Sequence, residues 1–170
     1  MDNYVQYHNS EAMGRSCLEI EEDDNFCIGT NKPVAQRLNG HRIWLIGGIG
    51  RPREYYLIYY FFVDRVEVDE DEDRFRYRVT GREGRYFHKP VLWNPYPWFK
   101  DFLRSQQNFS MGLRKIAPIF VEQLEELASA ANEAAASVAR PARACGGGFG
   151  DAETNRRVEE AAVEVEIIFR

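Results

Sequence analysis

Apolar residues in the first 127 positions fall mostly into short alternating or continuous runs, the pattern of strands, and take up a helical period only near the end of that stretch. Residues 5–8 (VQYH) predict a short first strand, and Asn9-Ser10-Glu11 predicts a polar turn before Met13-Gly14. Residues 26–29 predict another strand, after which Pro33 can open one or two helical turns ending at Asn39-Gly40. The β-branched and aromatic runs 41–46 and 54–63 predict a hairpin with a wide loop, residues 47–52 (GGIGRP). A charged turn is expected at 66–73. Residues 74–79 then alternate, which puts Arg74, Arg76 and Arg78 on one face of a strand and Phe75, Tyr77 and Val79 on the other. In residues 93–98 (WNPYPW) two prolines remove donors and restrict their neighbours, so a shaped loop is expected. A helical turn at 99–104 and a polar loop at 105–110 follow. Ala117-Pro118 opens a helix whose Phe120, Val121, Leu124 and Leu127 stand at i, i+1, i+4 and i+7, an apolar stripe made to face a core.

These elements predict an α+β domain over residues 1–127, a small twisted sheet or β-barrel with helices at its edge. Between residues 128 and 150 alanine-rich sequence gives way to Pro141 and a run of glycines, the composition of a linker. Beyond it, Asp151 or Thr154 can cap a helix with Val158, Ala161, Ala162 and Val165 on its apolar side, the start of a further domain at 151–170. The most apolar stretch, 55–63, stops at Asp64, which is too short for a membrane span. The first residues lack the basic and apolar regions of a secretory leader, so a cytoplasmic location is expected. Cys17, Cys27 and Cys145 are an odd number at wide spacing, and His8, His41 and His88 lie far apart. Reduced cysteines, no metal site and no cofactor are therefore expected.

Charge changes the picture. The overall net charge of −5 divides into −8 for residues 1–73, +8 for 74–115 and −5 for 116–170. The central segment carries ten aromatic residues and ten Lys or Arg against only Glu83 and Asp101. Positive charge interleaved with flat rings is what a surface needs to attract phosphates and stack unpaired bases, which makes nucleic acid the first partner to consider.

Catalytic constellations are not found. Gly48-x-Gly50 is followed by Pro52 and a strand instead of a helix, so it does not match a dinucleotide loop. Asp64, Glu67, Asp69 and Glu70 cluster near a turn, but no nuclease-type lysine motif follows them. The acidic residues 19–24 read as a solvated loop or edge in preference to a cation site. A binding protein, not an enzyme, is the expectation. Rings to sandwich a base are offered by Trp44, Trp93, Tyr96, Trp98 and Phe109, with Trp44 on a strand and the 93–98 trio on a loop better placed to wall a cleft. Asn9, Ser10 and Asn108 are candidates to read a base edge. Arg51, Arg53, Arg74, Arg76, Arg78, Arg82, Arg85, Lys89 and Arg104 are candidates for phosphate contacts. Each ring could instead belong to the core, and the cationic strand face could simply be solvated.

Residues 4–127, with the run GHRIWLIGGIGRPREYYLIYYFFVDRVE and later NFSMGLRKI, resemble the PUA-like superfamily, in particular the EVE-type modules of bacterial nuclease fusions. The resemblance is spread over the whole segment without one short diagnostic motif. It implies a small twisted or barrel-like sheet with edge helices and, by analogy with EVE and YTH relatives, an aromatic pocket that accepts a modified base. A second segment, Gly148-Phe149-Gly150-Asp151 with Glu153-Thr154-Asn155-Arg156-Arg157-Val158-Glu159 and Ala161-Ala162, is similar to the start of the NO VEIN C-terminal domain. In that family the domain continues into a sheet with nuclease-like acidic and lysine residues. The chain ends at Arg170 before any such motif, so the expectation is a truncated domain, with cleavage left to a nuclease-like effector domain or subunit. Together the resemblances imply a specificity module for a restriction or antiviral defence system, which flips a modified base of duplex DNA into its pocket. An RNA-binding PUA-like module, or a protein-interaction domain whose aromatic face meets another chain, are the alternatives.

Overall fold

In the computed structural model of the chain, residues 1–20, 25–68, 74–110 and 112–138 are described, without the side chains of His88 and residues 132–138. The start of the expected linker, residues 128–138, continues a helix instead of forming a linker, whereas its remainder from residue 139, the helix expected at 151–170, Cys145, and acidic residues 21–24 and 69–73 lie outside the described residues.

Among the described residues, eight strands form two sheets. The larger runs β7 (Gly84–Leu92), β4 (Glu54–Phe62), β3 (Arg42–Ile49), β1 (Asn3–Asn9), β8 (Arg114–Lys115), and the smaller runs β2 (Phe26–Thr30), β6 (Tyr77–Gly81), β5 (Arg65–Val68). In the larger sheet β1 lies parallel to β3, Val5 opposite Trp44 and Tyr7 opposite Ile46, and the other pairings are antiparallel. A parallel neighbour needs a long connection. Here that connection holds α1 (Ser10–Met13), β2 and a 3₁₀ turn at Pro33–Arg37.

The two sheets are arms of one bent ribbon. β4 runs on into β5 and β6 into β7, and the pairing is carried through the corner by Phe62 N–H to Glu83 O (2.8 Å) and Asp64 N–H to Thr80 O (3.0 Å). Side chains would block that bend: a Cβ on Gly81 would lie 2.0 Å from the Phe62 carbonyl oxygen, and one on Gly84 would lie 2.4 Å from that of Tyr60.

Strand alternation sends successive residues to opposite faces of the larger sheet. Tyr4, Ile43, Leu45, Tyr59 and Phe61 pack against Phe26, Ile28, Tyr77 and Val79 of the smaller sheet. Val5, Trp44, Ile46 and Leu57 meet Phe99 and Phe102 of α2 (Phe99–Ser105) and Leu124 and Leu127 of α3 (Pro118–Val138). The result is a mixed α+β domain with the large sheet covered on both faces. Arg42 ties α3 to the sheet, its guanidinium 3.0 Å from Glu125 Oε1 and 5.0–5.5 Å from the Trp44, Tyr60 and Phe62 ring centres. Among the described residues, no helix is long and apolar enough to cross a membrane.

Several elements differ from the sequence expectations. β3 does not break at Gly47 but continues to Ile49. The glycines there make room for neighbours: a Cβ at 47 would sit 2.1 Å from Cys17 Cβ, and one at 48 would sit 2.4 Å from Tyr7 Oη. Arg65–Val68 pairs as β5 where only a charged turn was expected, and β7 was not anticipated at all. Pro90 is accommodated in β7 because that strand lies at the sheet edge. The 74–79 strand pairs only from Tyr77, although its alternation holds, with Tyr77 and Val79 buried and Arg74, Arg76 and Arg78 exposed. The polar loop at 105–110 contains Gln107, Asn108 and Phe109 with φ of 52°, 52° and 58°, a left-handed turn that costs energy for non-glycine residues.

Candidate nucleic-acid interface

The rings expected to hold a base are divided by burial. Trp44, Trp93 and Phe109 are core residues, which corrects their assignment to a pocket wall. Trp44 donates its Nε1–H to Asn3 Oδ1 at 3.0 Å, deep under α3. Trp93 is wholly buried, with Phe99 and Phe102 edge-on at 5.7 and 5.5 Å, and its Nε1 has no protein partner. Phe109 stacks on Tyr7 at 5.1 Å with 9° between the planes. Tyr96 is exposed and Trp98 half-buried, 5.9 Å apart, so two rings of the predicted cleft do reach the surface. The pocket expected at 93–109 is otherwise occupied by core side chains.

The predicted edge-reading residues are engaged locally. Asn9 Oδ1 accepts the Ala12 N–H (3.3 Å) as the N-cap of α1, and Ser10 Oγ accepts the Cys17 N–H (3.0 Å). Asn108 is exposed within the left-handed turn.

The candidate arginines also separate. Arg51 and Arg53 reach Glu11 Oε1 of α1 at 3.9 and 3.5 Å, and Arg53 donates to Tyr7 Oη at 3.0 Å. Arg74 donates to the Ala12 carbonyl of α1, and Arg104 pairs with Asp101 at 3.1 Å. These four are held by protein groups; Arg76, just before β6 and 5.6 Å from the Tyr77 ring centre, Arg82 in the β6–β7 connection, and Arg85 and Lys89 on β7 are exposed. Arg78 and Arg82 line a groove of about 660 Å³ on the outer face of the smaller sheet, together with Arg65, Asp64, Glu67 and Thr80. Carboxylates temper it: Arg65 pairs with Glu67 at 2.6 Å, and Asp64 accepts the Arg82 backbone N–H at 2.8 Å.

A second, smaller cavity of about 160 Å³ opens between the two sheets near α1, lined by Gln6, His8, Met13, Leu45, Tyr59 and Phe75 among others. This is below the roughly 300–1,000 Å³ of a drug-sized site and suits one flat ring, not a whole nucleotide. Its walls follow from strand alternation: Tyr4, Gln6 and His8 share the face of β1 that looks toward the smaller sheet, but Tyr4 closes the core and Gln6 does not. Gln6 Nε2 makes only a long 3.5 Å contact to the Tyr7 carbonyl. Its Oε1 is shut off from solvent with no protein donor, a state that costs about 1–3 kcal/mol. Tyr59 is deeply buried, which pushes its phenol well above the usual pKa and keeps it a neutral donor to the Cys27 carbonyl at 2.9 Å. His8 Nε2 lies 3.0 Å from the Arg15 carbonyl oxygen, which orients that ring. Phe75 lies across Gly29, where a Cβ would come within 2.3 Å of its ring.

Gln6, His8, Met13, Tyr59 and Phe75 were not among the residues singled out from sequence. A glutamine two residues after Tyr4, on the same core-facing side of β1, and a glycine inside a strand at 29, are the signals that point there. Among the described residues no group of His, Cys, Asp and Glu is arranged to hold a metal ion. The class of protein defined so far is an α+β domain of two packed sheets with a ring-sized polar cavity between them. No protein-family model matches the chain, and no curated protein matches it at a significant level.

Proposed function

We propose that this chain is a non-catalytic nucleic-acid-binding module that accepts one modified, for example methylated, base into the cavity between its sheets. The observation that carries the reading is the cavity itself: room for a single ring, aromatic walls at Tyr59 and Phe75, and an unsatisfied acceptor at Gln6 Oε1. Flat walls and one polar group on the base edge are what recognition of an unstacked base requires. Flipping a base out of a duplex costs a few kcal/mol, and stacking of roughly 1–3 kcal/mol plus an edge hydrogen bond is of the size needed to offset it. Arg76 and Arg82, exposed just before and after β6, and Arg85 and Lys89, exposed on β7, would meet the phosphates.

The wider reading is a PUA-like, EVE-type specificity module of a restriction or defence system, with a nuclease-like effector domain or subunit as partner and duplex DNA as ligand. The bent ribbon that wraps two sheets around a core is compatible with that barrel-like family. The test is a titration of duplexes with and without cytosine or adenine modification at two salt concentrations, with a matched RNA in parallel. Tighter binding of one modified duplex, weakening steeply with salt, is expected. Equal affinities for modified and unmodified duplexes would remove the sensor, salt-insensitive binding would point to a protein interface, and preference for RNA would change the ligand.

A further inference from the structure

We infer that Arg74 is a positioning residue that fastens α1 to the Phe75 wall of the cavity, and not a contact to phosphate; this rests on the base-binding reading above. α1 has four residues and buries none of them. A single helical turn does not recover its nucleation cost from its own hydrogen bonds, and this one has only the half-buried Met13 as an apolar anchor. Its position therefore depends on polar ties.

Those ties lead to the cavity from both sides. At one side Asn9 caps α1, and Arg53 reaches Glu11. At the other, Arg74 donates to the Ala12 carbonyl, with its guanidinium carbon 5.5 Å from the centre of the Phe75 ring. The backbone that carries Arg74 is itself held: Asn31 Nδ2 donates to the Arg74 carbonyl (3.0 Å), and Asn31 Oδ1 accepts the Arg76 N–H (2.7 Å). Asn31 directly follows β2, and Gly29 of β2 leaves the space in which Phe75 lies. A continuous path thus runs from β2 through Asn31 and Arg74 to Ala12, next to Met13. Met13 and Phe75 both line the cavity, so one guanidinium ties two of its walls together. Walls set in place before binding spare the ligand the entropy of ordering them.

The test compares Arg74→Ala with the parent protein in three measurements. The first is amide hydrogen exchange of the ligand-free protein at Ala12 and Cys17, whose N–H groups are held by Asn9 and Ser10. The second is affinity for a free modified nucleoside, which has no phosphate, and the third is the salt dependence of duplex binding. Arg74→Ala is expected to speed exchange at these amides and to weaken nucleoside binding roughly three- to tenfold, the scale of one net hydrogen bond, with an unchanged salt slope. Arg74→Lys, which retains a donor, should recover part of the loss. Unchanged exchange at both amides, or a salt slope reduced by about 0.9 with nucleoside affinity intact, would overturn the assignment. A parent protein that binds no nucleoside and does not discriminate between duplexes would sink the base-binding reading instead, and the exchange measurement would still decide the tie.

Discussion

The two faces of the large sheet are both covered, yet they are finished differently. On the helix face, rings interlock edge to face until no space is left: Trp93 meets Phe99 and Phe102, Phe102 meets Phe109 and Phe120, and Phe109 stacks on Tyr7. On the other face, Phe26 stacks on Phe61 and Tyr86 in the same manner, but beyond Tyr59 the packing stops and a cavity with a polar floor remains. Ring density therefore marks where this protein is solid. The unfilled end of the sandwich, with a glutamine at a position that alternation assigns to the core, is where a ligand has something to complete.

That contrast can be broken first where it is strongest. Trp93→Ala should cost about 3–5 kcal/mol in chemical denaturation, the range for deleting a wholly buried large ring, while the folded fraction keeps its preference for a modified duplex. Loss of discrimination without loss of stability would mean that the helix face is the site after all. Gly29→Ala is expected to have the next largest effect. Its methyl group would displace the Phe75 ring, costing about 1–3 kcal/mol as overpacking does, and should reduce modified-base affinity, as calorimetric titration would show.

The smallest effect lies away from both faces, where Lys115 Nζ of β8 meets Asp2 Oδ2 at 2.7 Å. The hydrogen bond from Lys115 holds the Asp2 carboxyl below its usual pKa and raises that of Lys115. The Asp2 contribution to stability is present above the unfolded carboxyl pKa of about 3.8 and is lost as pH falls through the lowered folded value. The Lys115 contribution is present below about 10.5 and lost as pH rises through the raised value. Both groups are exposed and screened, so Asp2→Asn should flatten these acid and alkaline limbs only slightly in melting temperature against pH, leaving binding untouched.

Much of the fold was legible from spacing alone. Short apolar, β-branched and aromatic runs located β1, β2, β3 and β4, and the i, i+1, i+4, i+7 stripe of Phe120, Val121, Leu124 and Leu127 located α3. β7 drew no sequence expectation: Pro90 and the glycines at 81 and 84 interrupt the strand pattern there, and edge position and a tight ribbon bend are tertiary reasons for them. The site was less legible. Composition drew attention to residues 93–109, but tryptophan and phenylalanine are also the residues that fill a core most effectively, and only the neighbours across the sheet decide between the two. Arg51, Arg53 and Arg74 looked like phosphate contacts because sequence cannot show that a four-residue helix that buries none of its residues stands beside them.

The most direct measurement compares modified with unmodified duplex affinity for the parent protein, Gln6→Leu and Trp98→Ala. Gln6→Leu removes the orphaned acceptor at nearly constant volume, so it should leave stability unchanged or slightly raised while discrimination falls about tenfold, one edge hydrogen bond of roughly 1.4 kcal/mol. Trp98→Ala should keep the parent's discrimination. The opposite result, discrimination intact in Gln6→Leu and abolished in Trp98→Ala, would place recognition at the 93–98 loop and contradict a site between the sheets.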